Sequence, residues 1–261
     1  MSEELVVTAG RADERGFTDV AEHRRALAGA YNRYQITAAT DPESDGRRML
    51  LFPLFMTSFL VDDFLADNDF FGTETLVISS VSSKTGLGVA WCAHRREHIR
   101  VVGLTAAANL DFVTERNVCD DVIAYGDEDT MPAGPAVYVD VSGSAAVRNA
   151  VHRHFGDALV HDMVLGATHL GDLGRADDDL PGAKPAFFFA PSQIAKRTEE
   201  WGPGGLDRNI ADAWADFSAW AGDAITLRRT SGVAAVEAAY RELLENRSDP
   251  TVGHILSMRP T

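Results

Sequence analysis

Between Thr75 and Leu165 the chain alternates short apolar runs with helix-like stretches, and that rhythm leaves few folds open. The runs are Thr75–Ile78, Arg100–Leu104, Asp121–Tyr125, Ala136–Val141 and Ala158–Leu165; the stretches Leu87–His94, Ala107–Arg116 and Ala145–Phe155 lie between them. Short apolar runs with polar flanks read as parallel strands buried on both faces. Strand–helix alternation with short links predicts a parallel sheet with right-handed crossovers. The expected class is α/β, with a doubly wound sheet.

The flanks are less regular. Leu5–Val7 reads as a short strand, Val20–Tyr34 has helical spacing in places, and Thr40–Gly46 reads as a loop before an apolar helix from Met49 to Leu65. Residues 171–184 carry four aspartates and read as a solvated loop. Beyond them come a sixth strand, Ala186–Ala190, ended by Pro191, and an amphipathic helix, Leu206–Ala221, with Trp214, Phe217 and Trp220. A strand at Ile225–Arg228, a helix at Val233–Asn246 and a strand at His254–Met258 close the chain.

Charge narrows the partners. With 39 acidic and 24 basic residues, the net charge of -15 repels phosphate backbones and anionic lipids. Nucleic acid and membrane surfaces are not expected partners, and no apolar run approaches the ~20 residues of a membrane span. The two cysteines, Cys92 and Cys119, give no disulfide framework and point to a reducing compartment. With no basic-then-apolar leader at Met1–Glu4, the expectation is a cytoplasmic protein.

In a sheet of this kind, ligands bind beyond the carboxyl ends of the strands, where strand order reverses. A dinucleotide sets its pyrophosphate on a helix N-terminus, whose free N–H groups and dipole attract anions. Here the turn after the first strand reads Ser79-Ser80-Val81-Ser82-Ser83-Lys84-Thr85-Gly86-Leu87-Gly88. It is not a GxGxxG fingerprint, yet its hydroxyls, amides and one ammonium suit phosphate. Ser79, Ser80, Ser82, Ser83, Lys84, Thr85 and Gly86 are therefore candidate pyrophosphate ligands in a Rossmann-type domain. The second strand ends Thr105-Ala106-Ala107-Ala108-Asn109, without the acid that an NAD site uses on its ribose hydroxyls. Thr105 and Asn109 can donate to a 2′-phosphate, which favours NADP; equally, Asn109 can simply begin a helix. Gly143, Gly166 and Ala167 follow later strands, Phe189 lies in the sixth, and all four are expected to flank the ribose and nicotinamide.

Gly72–Asp127 resembles the cofactor domain of medium-chain dehydrogenases/reductases, on the zinc-free quinone and enoyl reductase side. The resemblance rests on Thr57-Ser58 before the first strand, on Asn117–Tyr125, on Val139–Gly143 and on the ending from Ala235 to Leu256. Thr57–Phe64, Ser82–Thr85, Tyr31–Tyr34 and Phe189–Ile194 resemble one branch of that superfamily, domain of unknown function family 2855. The resemblance implies a catalytic barrel ahead of the cofactor domain, most of it missing here. It divides the chain into a catalytic-domain remnant at 1–48, a nucleotide-binding domain at 49–200, and a C-terminal part at 201–261 that completes the sheet and the remnant. An apolar face left by the lost barrel is where a homodimer is expected.

Other chemistry is poorly supported. His152 and His154 point to different sides of one helix, and neither paired cysteines nor HExxH is present, so no metal is expected. No G-x-S-x-G motif marks a hydrolase. His169, just past the fifth strand, is a candidate near the nicotinamide, with a solvated loop histidine as the alternative. Tyr31 and Tyr34 are candidate proton donors, because a phenol can serve as general acid beside a cation; packing is their alternative. The function expected is an NADP(H)-dependent, zinc-independent reductase that passes hydride to a carbonyl or activated alkene of a small molecule. The alternative is a non-catalytic nucleotide-binding or scaffold protein that keeps the fold.

Overall fold

The computed structural model describes residues 5–14, 16–27, 29–36, 41–165, 179–245 and 247–259. The expected candidates Gly166, Ala167 and His169 lie outside the described residues.

Six parallel strands form the central sheet: β4 (Thr75–Ile78), β5 (Arg100–Thr105), β6 (Asp121–Ala124), β7 (Ala136–Asp140), β8 (Leu159–Val164) and β9 (Pro185–Phe187). Three others precede them in the chain: β1 (Ala9–Asp13), β2 (Gly16–Asp19) and β3 (Arg33–Gln35), paired antiparallel in a sheet of their own. The order of the large sheet is β6-β5-β4-β7-β8-β9, so strand order reverses between β4 and β7. That is the Rossmann arrangement, and it fixes where a ligand crevice opens.

Period-two alternation sorts the strand residues onto two helical layers. Leu76 and Ile78 join the larger core with α1 (Pro42–Asp67), α2 (Lys84–His94), the short α3 (Leu110–Thr114) and α6 (Gly205–Ala224). Val77, Val102, Leu104 and Tyr138 face the opposite layer, α4 (Ala145–Phe155). Phe55, Trp91, Trp214 and Phe217 interlock α1, α2 and α6, with the Phe55 and Phe217 rings stacked at 4.5 Å. Helix α5 (Ala190–Glu200) runs beside α1, where Arg197 pairs with Asp63 at 2.7 Å and with Asp67 at 3.0 Å.

Helix α1 corrects two expectations. Its first turn occupies the stretch read as a loop: Asp41 caps the amides of Glu43 and Ser44 at 3.0 Å, and Pro42 stands where a missing N–H costs nothing. It is also long and apolar enough to cross a membrane, with mean hydropathy 1.7 over 18 residues. Its apolar face is instead spent inside the molecule, where Leu51, Phe55, Leu60, Val61 and Leu65 are buried.

Other differences are local. Leu5–Val7 is irregular, and the helical spacing after Val20 yields only 3-10 turns before β3. The helix after β5 shrinks to Leu110–Thr114. Pro191 does not end a strand; it sits in the first turn of α5, a helix that the strand reading overlooked. At the C-terminus, β10 (Thr226–Ser231) and β11 (Val252–Ser257) pair in parallel with each other through α7 (Val233–Leu244). They form a separate two-stranded sheet rather than completing the large one.

Candidate functional site

The turn after β4 is built at the switch point from the expected residues, each doing a different job. Ser79 is fully buried and ties β4 to β7: its hydroxyl donates to Asp140 at 2.9 Å and accepts the amides of Val141 and Ser142 at 3.0 and 3.1 Å. Ser80 takes a left-handed conformation, φ +50°. Its amide is held by the Tyr125 hydroxyl at 2.7 Å, and the Val81 amide is spent on the Leu104 carbonyl at 3.1 Å. Ser83 is the N-cap of α2, its hydroxyl accepting from the Gly86 amide at 3.1 Å.

The amides of Ser82, Lys84 and Thr85 meet no acceptor among the described residues. They stand at the start of an 11-residue helix, where the dipole adds to their pull on an anion. Gly86 lets the helix start this close to the turn: a Cβ there would lie 2.5 Å from the Ser80 carbonyl oxygen and 2.8 Å from the Val81 Cα. Gly88 does the same toward α1, where a Cβ would meet the Ser58 hydroxyl at 2.5 Å. Ser58, one of the pair that carried the family resemblance, donates to the Thr85 carbonyl at 2.9 Å and so joins α1 to the turn.

Ser82, expected at the pyrophosphate, meets Thr105 and Asn109, expected at the adenosine end. The Thr105 hydroxyl, at the end of β5, contacts the Ser82 hydroxyl at 2.9 Å, and the Asn109 amide nitrogen donates to the same oxygen at 3.2 Å. With both lone pairs engaged, the Ser82 hydroxyl keeps its own proton for an outside acceptor. Among the described residues no carboxylate joins this knot.

Lys84 does not extend toward the turn. Its ammonium, mostly buried, donates to the Val252 carbonyl of β11 at 2.9 Å, and burial lowers its pKa against the raising influence of Asp249. Only its backbone amide faces the anion position.

Sequence reasoning missed the partner of this turn across the switch point. Asp140, fully buried at the end of β7, accepts from Ser142 at 2.9 Å, from the Gly143 amide at 3.0 Å and from Arg148 Nε at 3.0 Å. Gly143, at φ +68°, supplies the left-handed turn that brings its amide back onto Asp140. Arg148 sits one turn into α4, and the buried ion pair fixes the β7–α4 corner against the Ser79 side of the turn. An acid followed by Ser-Gly-Ser was readable; its arginine, eight residues on, was not. Tyr125 was likewise seen only as a strand end, and burial now pushes its phenol up to about 12.

The remaining candidates stand apart. Phe189 lines a cavity of about 220 Å³ with Phe64, His161, Met163 and Gln193, on the α1 flank of β8 and β9. Tyr31 is 56% exposed, and Tyr34 stacks on Phe17 at 5.0 Å within the N-terminal sheet. Neither ring contacts the strand-end cluster among the described residues. His152, one of the histidines weighed for a metal, is held by Asp162 at 2.9 Å and by the Pro181 carbonyl at 2.8 Å.

Solved structures share the fold. YhdH of E. coli K-12 with bound NADPH matches with a TM-score of 0.54 at 12% identity, over 87% of this chain and 67% of that one. CurA of Vibrio vulnificus in complex with NADPH matches with 0.55 at 14%, over 86% and 68%. A candidate NADPH:quinone reductase of Mesorhizobium loti matches with 0.57 at 14%, over 94% and 70%. The chain thus spans about two thirds of the length of these proteins. No curated protein matches the sequence. The model of the family described as "Protein of unknown function (DUF2855)" matches residues 1–249, and the chain belongs to that family.

Proposed function

We propose that the chain binds NADP(H) at the carboxyl end of β4 and acts as a reductase, moving hydride between that cofactor and a carbonyl or activated alkene of a small molecule. One observation carries the reading: free amides at the start of α2 stand beside the acid-free Ser82–Thr105–Asn109 knot, at the point where strand order reverses. The bound NADPH in two proteins of the same fold argues for a nicotinamide dinucleotide over other nucleotides.

In this reading the amides of Ser82, Lys84 and Thr85 take the pyrophosphate oxygens. Thr105, Asn109 and the Ser82 proton face the adenosine end, where no carboxylate repels a 2′-phosphate. The Asp140–Arg148 pair holds the Gly143 corner rigid, so the crevice wall between β4 and β7 does not have to be ordered on binding. The cofactor supplies the hydride; the protein binds it, orients it and keeps water away. The free thiols, Cys92 buried and Cys119 half-buried, suit a reducing, cytoplasmic setting.

A second reading, a nucleotide-binding protein without turnover, draws on one observation. The proton donors expected from the sequence, Tyr31 in the 3-10 turn before β3 and Tyr34 in β3, stand apart from the strand-end cluster. Titration of the full chain with NADPH and NADH, followed by nicotinamide fluorescence, separates the readings. Saturable NADPH binding, tighter than NADH, supports the site. Absence of binding by both cofactors refutes it. Binding with no turnover on quinones, enones or aldehydes favours the second reading.

A further inference from the structure

The β10-α7-β11 unit is packed on one side only. Leu227, Arg229 and Gly253 face α1, where Gly46 and Leu50 close against them. On the other side α7 turns Ala235, Ala238, Ala239 and Glu242 toward the strands, one helical stripe by its spacing. A helix crossing over two strands ordinarily fills that layer with large apolar side chains. Here the large ones, Tyr240, Leu243 and Leu244, are 50–64% exposed on α7 instead. Small side chains below and polar ones above leave a groove of about 490 Å³.

The strand side of the groove is Arg228, Thr230 and His254, with Arg247 at its edge. Arg228 and His254 are register partners on neighbouring strands, so their side chains share a face. Both ring nitrogens of His254 are shut off from solvent and have no hydrogen-bond partner among the described residues. A buried imidazole left so costs free energy that a native structure seldom tolerates without a ligand or water to meet it. Arg228 forms no hydrogen bond or close ion pair among the described residues, although Asp249 feels its charge. Arg247 is held by Glu245, which leaves part of its guanidinium fork facing outward.

We infer that this groove is a second binding site, for a small hydroxylated anion carrying one phosphate or carboxylate group. Arg228 and Arg247 take the oxyanion, because planar guanidinium groups match carboxylate and phosphate oxygens. Thr230 meets the ligand's remaining polar atoms, and His254 meets them once its ring turns, because its nitrogens are closed to the open groove. Glu242, the one carboxylate lining the groove among the described residues, would repel a bare anion and therefore selects a ligand with a hydroxyl to donate to it. The site is independent of the strand-end crevice and does not rest on the function proposed there.

Histidine-selective NMR on the full chain tests it, with the His254 ring signals identified by their loss in His254→Gln. Glycerol 3-phosphate and glycerate are the probes, since they carry the two oxyanions on similar hydroxylated skeletons. The expected result is a saturable shift of the His254 signals with one of them, which also tells phosphate from carboxylate. Arg228→Gln, at an exposed position, should weaken that binding by about tenfold or more. No saturable shift with either probe, or a shift unchanged in Arg228→Gln, overturns the proposal.

Discussion

The phenol oxygen of Tyr125, just past the end of β6, accepts the amide hydrogen of Ser80 at 2.7 Å, across two strands of the sheet. Ser80 is held in a left-handed conformation that costs an ordinary residue about 1–2 kcal/mol, so the turn depends on contacts that keep it there. Tyr125→Phe removes the acceptor and leaves a part-buried N–H unpaired. The expected loss is about 1–3 kcal/mol, read as a lower urea midpoint with unchanged slope. If the proposed crevice is right, NADPH binding weakens as well, because the amides of Ser82 and Thr85 follow directly from Ser80.

Gly86→Ala probes the approach of α2 to the turn. The added methyl would meet two backbone atoms, the Ser80 carbonyl oxygen and the Val81 Cα, at 2.5 and 2.8 Å. Backbone cannot rotate away as a side chain can. Overpacking here is expected to cost roughly 3 kcal/mol, more than the ~1 kcal/mol that alanine gains over glycine inside a helix. A urea melt as stable as the parent's would show that the helix start can shift without cost.

Much of this region was legible before any coordinates. Strands β4 to β8 and helix α4 fall where apolar runs and helical spacing put them, because strands buried on both faces read as continuous apolar runs and α4 is long enough to show its period. Ser82, Thr105 and Asn109 were each readable as candidates, but their mutual contact depends on β4 and β5 lying side by side. What escaped is of three kinds. Asp41-Pro42 looked like a loop because its polar residues cap a helix rather than join its stripe. Pro191 looked like a strand's end because a proline in the first turn of a helix gives the same local signal. The direction of Lys84 and the link from Tyr125 to Ser80 depend on residues 168 and 45 positions away, which no local pattern carries.

His152 gives the chain a predictable response to pH. Burial pulls its pKa down, but the bonds to Asp162 and the Pro181 carbonyl outweigh it, so the pKa stands above the ordinary 6.5. Both partners are acceptors, so the doubly protonated ring satisfies both contacts. A pKa raised on folding means that protonation favours the folded state. The stabilisation is whole below pH 6.5 and is lost as the pH rises through the raised value. Comparing urea stability at acid and alkaline pH, the parent should lose more on alkalinisation than His152→Gln. Equal losses would exclude this histidine as the source.

Lys84 links the turn to the C-terminal strands, and its removal should separate two roles that the sequence merged. Lys84→Met keeps the backbone amide and most of the buried stem but leaves the Val252 carbonyl without its donor. Amide exchange along Val252–Ser257 is expected to quicken by about tenfold, the equivalent of one hydrogen bond from a charged group. NADPH affinity should change far less, because only the Lys84 amide faces the anion position. A large loss of affinity with unchanged exchange would return the ammonium to the pyrophosphate.

Asn109→Asp tests the basis for choosing NADP over NAD. Asn109 donates to the Ser82 hydroxyl at 3.2 Å; an aspartate there can only accept, so Ser82 would turn its proton inward to it. The change removes a donor from the adenosine end and adds the negative charge that this end of β5 lacks. A 2′-phosphate then meets repulsion, whereas a free ribose 2′-hydroxyl finds an acceptor. NADPH affinity is expected to fall by about tenfold or more, as for loss of a hydrogen bond to a charged group, while NADH affinity holds or rises. Fluorescence titration with both cofactors gives the ratio directly. A ratio unmoved by the substitution would mean that the knot of Ser82, Thr105 and Asn109 holds the turn together without reading the cofactor.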